Sequence, residues 1–165
     1  MRGVLFSPPP VMMYQSNGLR YTMWSFCQAA VWCTISLSST CSAGWPSSES
    51  VAASRLGAEV LIVGKLGDDM NGKRYLEELR TRGIRTDAVE IAAGQPTGVA
   101  LIEVDPSGEN RIILILGANA LVDEAQIDRH LQALSQCDTI LLQLEVPLTT
   151  VEYAVRKLHE MGKRV

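Results

Sequence analysis

The spacing of apolar residues from Val51 onward predicts alternating helices and strands. Residues 51–57 have the pattern of the last turns of a helix that ends at a glycine, and residues 58–64 form a β-branched run typical of a buried strand. Residues 71–82 are amphipathic and are followed by another glycine. Helix, strand and helix in this order, separated by glycine stops, predict an α/β fold.

The next segment departs from that pattern. After weak alternation over residues 86–91, two apolar runs at 99–104 and 111–116 flank a loop that contains proline and glycine. Two such runs predict an antiparallel β-hairpin. A hairpin inserted in a parallel-sheet pattern often forms a flap or a second small sheet, and a simple edge meander is the alternative.

Helix-start signals reappear in the last third of the chain. Asp123 has the N-cap position of a helix, with Gln126 at the third helical position. Thr149 and Glu152 have capping-box spacing for a helix over about residues 151–161. The chain then reaches residues whose pattern indicates entry into a further strand, which predicts a sheet with more strands than this sequence contains.

Glu145 is the clearest candidate for chemistry. It follows the apolar run 139–144, which predicts a buried strand, and it precedes Pro147. Ligands of open α/β sheets bind beyond the carboxyl ends of the strands, so a carboxylate at this point is placed for a polar ligand. The alternative is that Glu145 caps the following helix or faces solvent.

Composition excludes several classes of protein. The chain has 165 residues, enough for one domain, with a net charge of −3. A pI near 5.4 gives no electrostatic footprint for nucleic acid or for an anionic membrane, so neither partner is expected. The four cysteines lack metal-ligand spacing, which predicts reduced thiols and no metal site.

Residues 1–50 differ from the rest of the chain. They contain three charged residues and all three tryptophans, whereas regular apolar spacing starts at Val51. A signal-peptide-like apolar stretch, an irregular subdomain, and sequence foreign to the fold are the three interpretations. We expect an atypical, disordered or mistranslated segment at 1–50 and a partial α/β domain at 51–165, with lid strands at about 86–116.

Six short motifs together resemble one family in order and spacing. They are VAASRLGA (51–58), GKLGDD (64–69), PTGVA (96–100), GEN (108–110), GAN (117–119) and QLEVP (143–147). Each is weak alone, but the set resembles the N-terminal half of ribokinase, of the PfkB-type carbohydrate kinases. The resemblance implies an incomplete, doubly wound α/β core with a small β-sheet lid.

The resemblance also implies an activity and its site. Members transfer the γ-phosphate of ATP to a sugar hydroxyl, with Mg²⁺ and often a monovalent cation, and ribose is the expected sugar. By resemblance, Glu145 accepts hydrogen bonds from sugar hydroxyls, and Ala100 and Ile102 of the lid pack over the sugar. The two acids of the GKLGDD motif are expected to cap a helix. A homodimer through the lid strands and a cytoplasmic location are further expectations.

The departures from the family pattern limit this expectation. Residues 43–48 occupy the place of a glycine-rich segment without its lysine or asparagine, and residues 1–42 lack an Asn-x-Asp sugar-binding turn. The nucleotide site and catalytic Asp would lie beyond Val165, so no catalytic or nucleotide-binding residue is expected here, and the chain alone is expected to be inactive. Alternatives are another sugar or nucleoside kinase, a non-catalytic sugar-binding or dimerisation module, and a poorly folding fragment.

Overall fold

The computed structural model describes residues 12–16, 19–25, 31–35, 48–105, 107 and 109–165, with side chains from residue 50 onward except those of 101–104. The described strands are β1 Met12–Ser16, β2 Leu19–Ser25, β3 Val31–Ile35, β4 Glu59–Gly67, β5 Arg85–Ala92, β6 Val99–Val104, β7 Asn110–Ile115 and β8 Thr139–Leu142. The helices are α1 Ser48–Arg55, α2 Met70–Thr81, α3 Glu124–Arg129, α4 Leu131–Ser135 and α5 Leu148–Glu160, with a 3-10 helix at Gly117–Leu121.

The core sheet has the strand order β5-β4-β3-β8. Strand β4 is parallel to β5, to which α2 connects it, whereas β3 is antiparallel to both β4 and β8. Beyond β8, Thr139 forms a parallel bridge with Arg164, and the Ile140 amide donates to the Arg164 carbonyl at 2.8 Å. This bridge agrees with the predicted entry into a further strand.

Strand β4 is buried on both faces, which explains its nearly continuous apolar sequence. Val60, Ile62 and Leu66 pack with Tyr75 and Leu79 of α2. The alternate positions pack in a second cluster with α3, α4 and α5, whose members include Leu61, Val63, Ile127, Leu134, Ile140, Ala154 and Leu158. Helices therefore cover both faces of the core sheet, which confirms the predicted α/β class.

A second, antiparallel sheet has the order β1-β2-β6-β7. Strands β6 and β7 form the predicted hairpin, and β2 pairs with the other side of β6. The predicted lid boundary at residue 86 needs correction, because β5 pairs in parallel with β4 and so belongs to the core sheet. Residues 1–50 contribute β1 and β2 to this lid sheet and β3 to the core sheet.

Helix termini confirm some of the predicted caps and correct others. Asp123 caps α3 and accepts from the Gln126 amide, as predicted. The Gln126 side chain does not return to that cap, because its Nε2 donates to the Gly64 carbonyl at 2.6 Å. Helix α5 begins at Leu148 after Pro147, so the predicted Thr149–Glu152 capping box does not form.

Cys137 corrects another expectation. It is disulfide-bonded, whereas the sequence predicts reduced thiols. Its partner cysteine lies outside the described side chains.

Candidate functional site

Glu145 lies at the carboxyl edge of the core sheet, in the bend between β8 and α5. Val146 beside it is buried in the core, and Pro147, with φ of −54°, starts the helix. The Oε2 atom of Glu145 is buried and has no hydrogen-bond partner among the described residues. Helix α5 has no side-chain cap, so Glu145 does not cap it, and one of its carboxylate oxygens lacks a donor within the described part of the chain.

The other two predicted site residues lie on strand β6 of the lid. Ala100 is buried and pairs with Trp24 of β2 and Leu114 of β7. The backbone of Ile102 pairs with Thr22 and Ile112, and its side chain lies outside the described part of the chain. The three predicted residues thus divide between the core sheet and the lid sheet.

The base of the lid is a close crossing of two chain segments. The Ala118 amide donates to the Pro96 carbonyl at 2.8 Å. Gly117 has a φ of +51°, and a Cβ there would lie 2.4 Å from the Pro96 carbonyl oxygen. Only glycine fits this crossing, because a side chain would clash with the backbone and strain the left-handed conformation.

A latch formed by Asp69 and Thr97 holds the same base to the core. The Thr97 hydroxyl donates to Asp69 Oδ1 at 2.6 Å and the Thr97 amide donates to Oδ2 at 2.9 Å. Asp69 also caps α2 by accepting from the Gly72 amide at 2.8 Å, as predicted. Partial burial alone would raise the pKa of Asp69, but these hydrogen bonds outweigh it and lower the pKa.

The other acid of this motif, Asp68, has a different role from the predicted cap. It accepts a hydrogen bond from the Gly94 amide at 2.9 Å. Both carboxylates therefore hold residues 94–97, which lead into the lid.

A charged cluster anchors the 3-10 helix on its other side. Lys65 donates to the Leu121 carbonyl at 2.9 Å and lies 3.4 Å from Glu90, which Arg129 also contacts. Partial burial would raise the pKa of Glu90, but the hydrogen bonds and positive charges of Arg129 and Lys65 lower it overall. We interpret this cluster as structural, because each charge is already paired.

Asn119 is a buried polar residue that the sequence pattern did not mark as a candidate. It lies in the 3-10 helix, is 1% exposed, and neither its Oδ1 nor its Nδ2 has a partner among the described residues. The GAN motif marked its position but indicated no role, because burial of an asparagine in a turn depends on distant segments.

The described residues provide no ligand set for a metal. They contain no group of three His, Cys, Asp or Glu side chains that could hold one. The α2 and α3 N-termini are already capped by Asp69 and Asp123, so we assign no described residue to ATP or Mg²⁺. No helix in the described part of the chain is long and apolar enough to span a membrane.

Comparison with known proteins identifies the family. The model for "pfkB family carbohydrate kinase" matches residues 41–163. Ribokinase of Schizosaccharomyces pombe is 38% identical over 128 residues, which cover 75% of this chain and 40% of that protein. Deoxyribokinase of Salmonella typhi is 38% identical over 121 residues, which cover 73% and 38% respectively. The chain therefore belongs to the ribokinase-like pfkB family of carbohydrate kinases.

Solved structures support the same fold. The ribokinase of Cryptococcus neoformans var. grubii serotype A in complex with ADP matches with a TM-score of 0.57 and 26% identity, over 78% of this chain and 42% of that chain. Arabidopsis thaliana ribokinase complexed with ribose and ATP matches with a TM-score of 0.64 at 22% identity, over 84% and 50%. The chain spans about two fifths of the length of the curated relatives it matches.

Proposed function

We propose that this chain forms the lid and part of the sugar site of an ATP-dependent kinase that phosphorylates a hydroxyl of ribose. The observation that carries the proposal is the buried Oε2 of Glu145 at the carboxyl edge of the core sheet, which has no hydrogen-bond partner among the described residues. A buried carboxylate oxygen without a donor is costly, and a sugar hydroxyl supplies a donor. Glu145 would thus bind and orient the sugar.

The lid has a separate role in the proposed reaction. Ala100 and Ile102 would cover the sugar and exclude water, which competes with the sugar as phosphoryl acceptor. The small side chain of Ala100, buried within the central strand pair of the lid, allows close approach of the strand to a ligand. ATP, Mg²⁺ and a monovalent cation are part of the proposal, and the ADP complex of the Cryptococcus relative supports nucleotide use. We place the enzyme in the cytoplasm, where ATP is available.

The choice of ribose rests on the relatives' names, and deoxyribose is the second candidate. Ribokinase and deoxyribokinase relatives are equally identical to this chain at 38%, so identity alone does not separate the two sugars. Calorimetric titration of the 165-residue chain with ribose and with 2-deoxyribose decides between them. We expect tighter binding of ribose, because a polar site that bonds a hydroxyl discriminates against the analogue that lacks it.

The Glu145→Gln variant tests the role of the carboxylate. It keeps the shape of the side chain and removes the charge, so we expect ribose affinity to fall about 10-fold, near the low end of the cost of losing a hydrogen bond to a charged group. Glu152→Gln, on the exposed side of α5, is the matched control and should bind ribose normally. Unchanged affinity in Glu145→Gln would refute the proposal.

The exposed edge of the lid favours a second role as a dimer contact. Strand β7 is at the edge of the lid sheet among the described strands, and its residues Ile112–Ile115 are each about half exposed. An apolar edge strand with unpaired backbone groups is a template for pairing with another strand. We propose that two copies of this chain pair through β7.

Sedimentation measurements test this pairing. Ile113→Lys places a charge on the edge and should convert a dimer into a monomer, because a lysine would be buried without a partner. Val155→Lys, at an exposed apolar position of α5, is the control and should leave the dimer intact. A monomeric unsubstituted chain, or a dimer that survives Ile113→Lys, would exclude the β7 contact.

A further inference from the structure

Asn119 contains the most costly unexplained polar group among the described residues. Its side-chain amide is almost fully buried, and neither of its polar atoms has a hydrogen-bond partner within the described part of the chain. Burial of an amide without compensating bonds is unfavourable, and native proteins rarely leave both atoms unpaired. A partner for this amide must therefore come from elsewhere.

The turn that carries Asn119 does not need its side chain. On one side, the Ala118 amide bonds the Pro96 carbonyl at the base of the lid. On the other side, the Val122 amide bonds the Asn119 carbonyl at 3.3 Å, and Thr150 Oγ1 donates to the Val122 carbonyl at 2.9 Å. These bonds to backbone groups hold the turn, and none of the described bonds uses the Asn119 side-chain amide.

The Thr150 bond also joins the turn that contains Asn119 to α5, the helix that follows Glu145. Thr150, which holds the end of the 3-10 helix, lies five residues after Glu145 at the start of α5. The 3-10 helix follows the lid and packs on β4. Glu145 follows β8, and the single strand β3 lies between β8 and β4 in the core sheet. Strands two apart lie roughly 10 Å from each other, a separation that one bound pentose and two side chains can span.

We propose that Asn119 is a second sugar-binding residue, which contacts hydroxyls of the same sugar as Glu145. The inference rests on the proposed function and extends it to the chemistry of the ligand. A carboxylate only accepts hydrogen bonds, whereas an amide both accepts and donates. The pair therefore selects a ligand whose hydroxyls donate and accept, as in a polyol, and the Glu145 charge disfavours an anionic group there.

The Asn119→Leu variant tests the inference, because leucine has a similar size and no polar atoms. The thermal midpoint without ligand and the ribose affinity of the 165-residue chain are both measured. We expect an unchanged or higher midpoint, since no hydrogen bond to a described residue is lost, and at least a 10-fold loss of ribose affinity.

Gln126→Leu is the matched control. Its amide is also fully buried near the end of β4, but its Nε2 donates to the Gly64 carbonyl. We expect the opposite result, a lower midpoint with unchanged ribose affinity, because a structural hydrogen bond is removed and Gln126 is not a proposed sugar contact.

The outcomes separate this inference from the proposed function. A lowered midpoint in Asn119→Leu, or ribose affinity equal to that of the unsubstituted chain, overturns the role of Asn119. If Glu145→Gln still weakens binding in that case, the proposed function stands without Asn119. If the unsubstituted chain does not bind ribose, the proposed function fails and the role of Asn119 fails with it.

Discussion

Removal of the Asp69 carboxylate should loosen the base of the lid and lower the stability of the whole domain. In Asp69→Ala, helix α2 loses its cap, which costs about 1 kcal/mol. The Thr97 amide and hydroxyl also lose their acceptor, and Thr97 itself is 1% exposed, so these donors lie in a site that is largely shielded from water. Each buried donor left unpaired costs about 1–3 kcal/mol, and we expect a total loss of about 3 kcal/mol.

Urea unfolding followed by circular dichroism measures this loss as a change in the free energy of unfolding. Asp123→Ala is the matched control, because Asp123 caps α3 through the Gln126 amide and is exposed. It should cost only about 1 kcal/mol. A double-mutant cycle with Thr97→Val should give a coupling energy of about 1 kcal/mol or more, since the two side chains bond directly.

The latch also predicts a pH dependence. The folded-state pKa of Asp69 is lowered, so its contribution is present above the unfolded-state pKa and is lost as pH falls through the folded-state pKa. The stability difference between the unsubstituted chain and Asp69→Ala should therefore shrink below about pH 4. A cost of Asp69→Ala no larger than that of Asp123→Ala, with no coupling to Thr97, would refute the latch.

Three further predictions concern the lid crossing, the charged cluster and catalysis. In urea unfolding, Gly117→Ala should lower the free energy of unfolding by at least about 2 kcal/mol. Gly162 has a similar positive φ of +73° but open space around it, so Gly162→Ala should lower it by only about 1 kcal/mol. Equal losses would contradict the close crossing. The lowered pKa of Glu90 means that its carboxylate stabilises the fold above about pH 4 and that this contribution is lost at lower pH. Glu90→Gln should therefore lose less stability on acidification than the unsubstituted chain. An unchanged acid-unfolding profile would contradict this. The 165-residue chain alone should form no ADP in response to ribose in a coupled assay, because no described residue is assigned to ATP; clear turnover would disprove this.

Local signals in the sequence were sufficient for several parts of the fold. The caps at Asp69 and Asp123, the β6–β7 hairpin and the glycine stops depend on residues a few positions apart. Glu145 could be singled out as a candidate for a similar reason, because the end of a buried strand is visible in the apolar pattern.

Long-range contacts decided the features that the sequence did not predict. The Gln126 side chain bonds a carbonyl 62 residues away, and no local pattern distinguishes this from a capping box. Strand β5 joined the core sheet rather than the lid through parallel pairing with β4. That the buried amide of Asn119 has no partner among the described residues likewise becomes apparent only when the burial of its turn is known.

The central position of β3 has a consequence for how the chain folds. Val31 pairs with both Val63 and Leu142, so this one strand connects an early segment and a late segment of the core sheet. During synthesis, β8 cannot take its place beside β3 until residues near 142 have left the ribosome, and until then one edge of β3 is open. Because closure of such distant pairs is slow, we expect assembly of β8 to be a late step in folding and the step most exposed to aggregation.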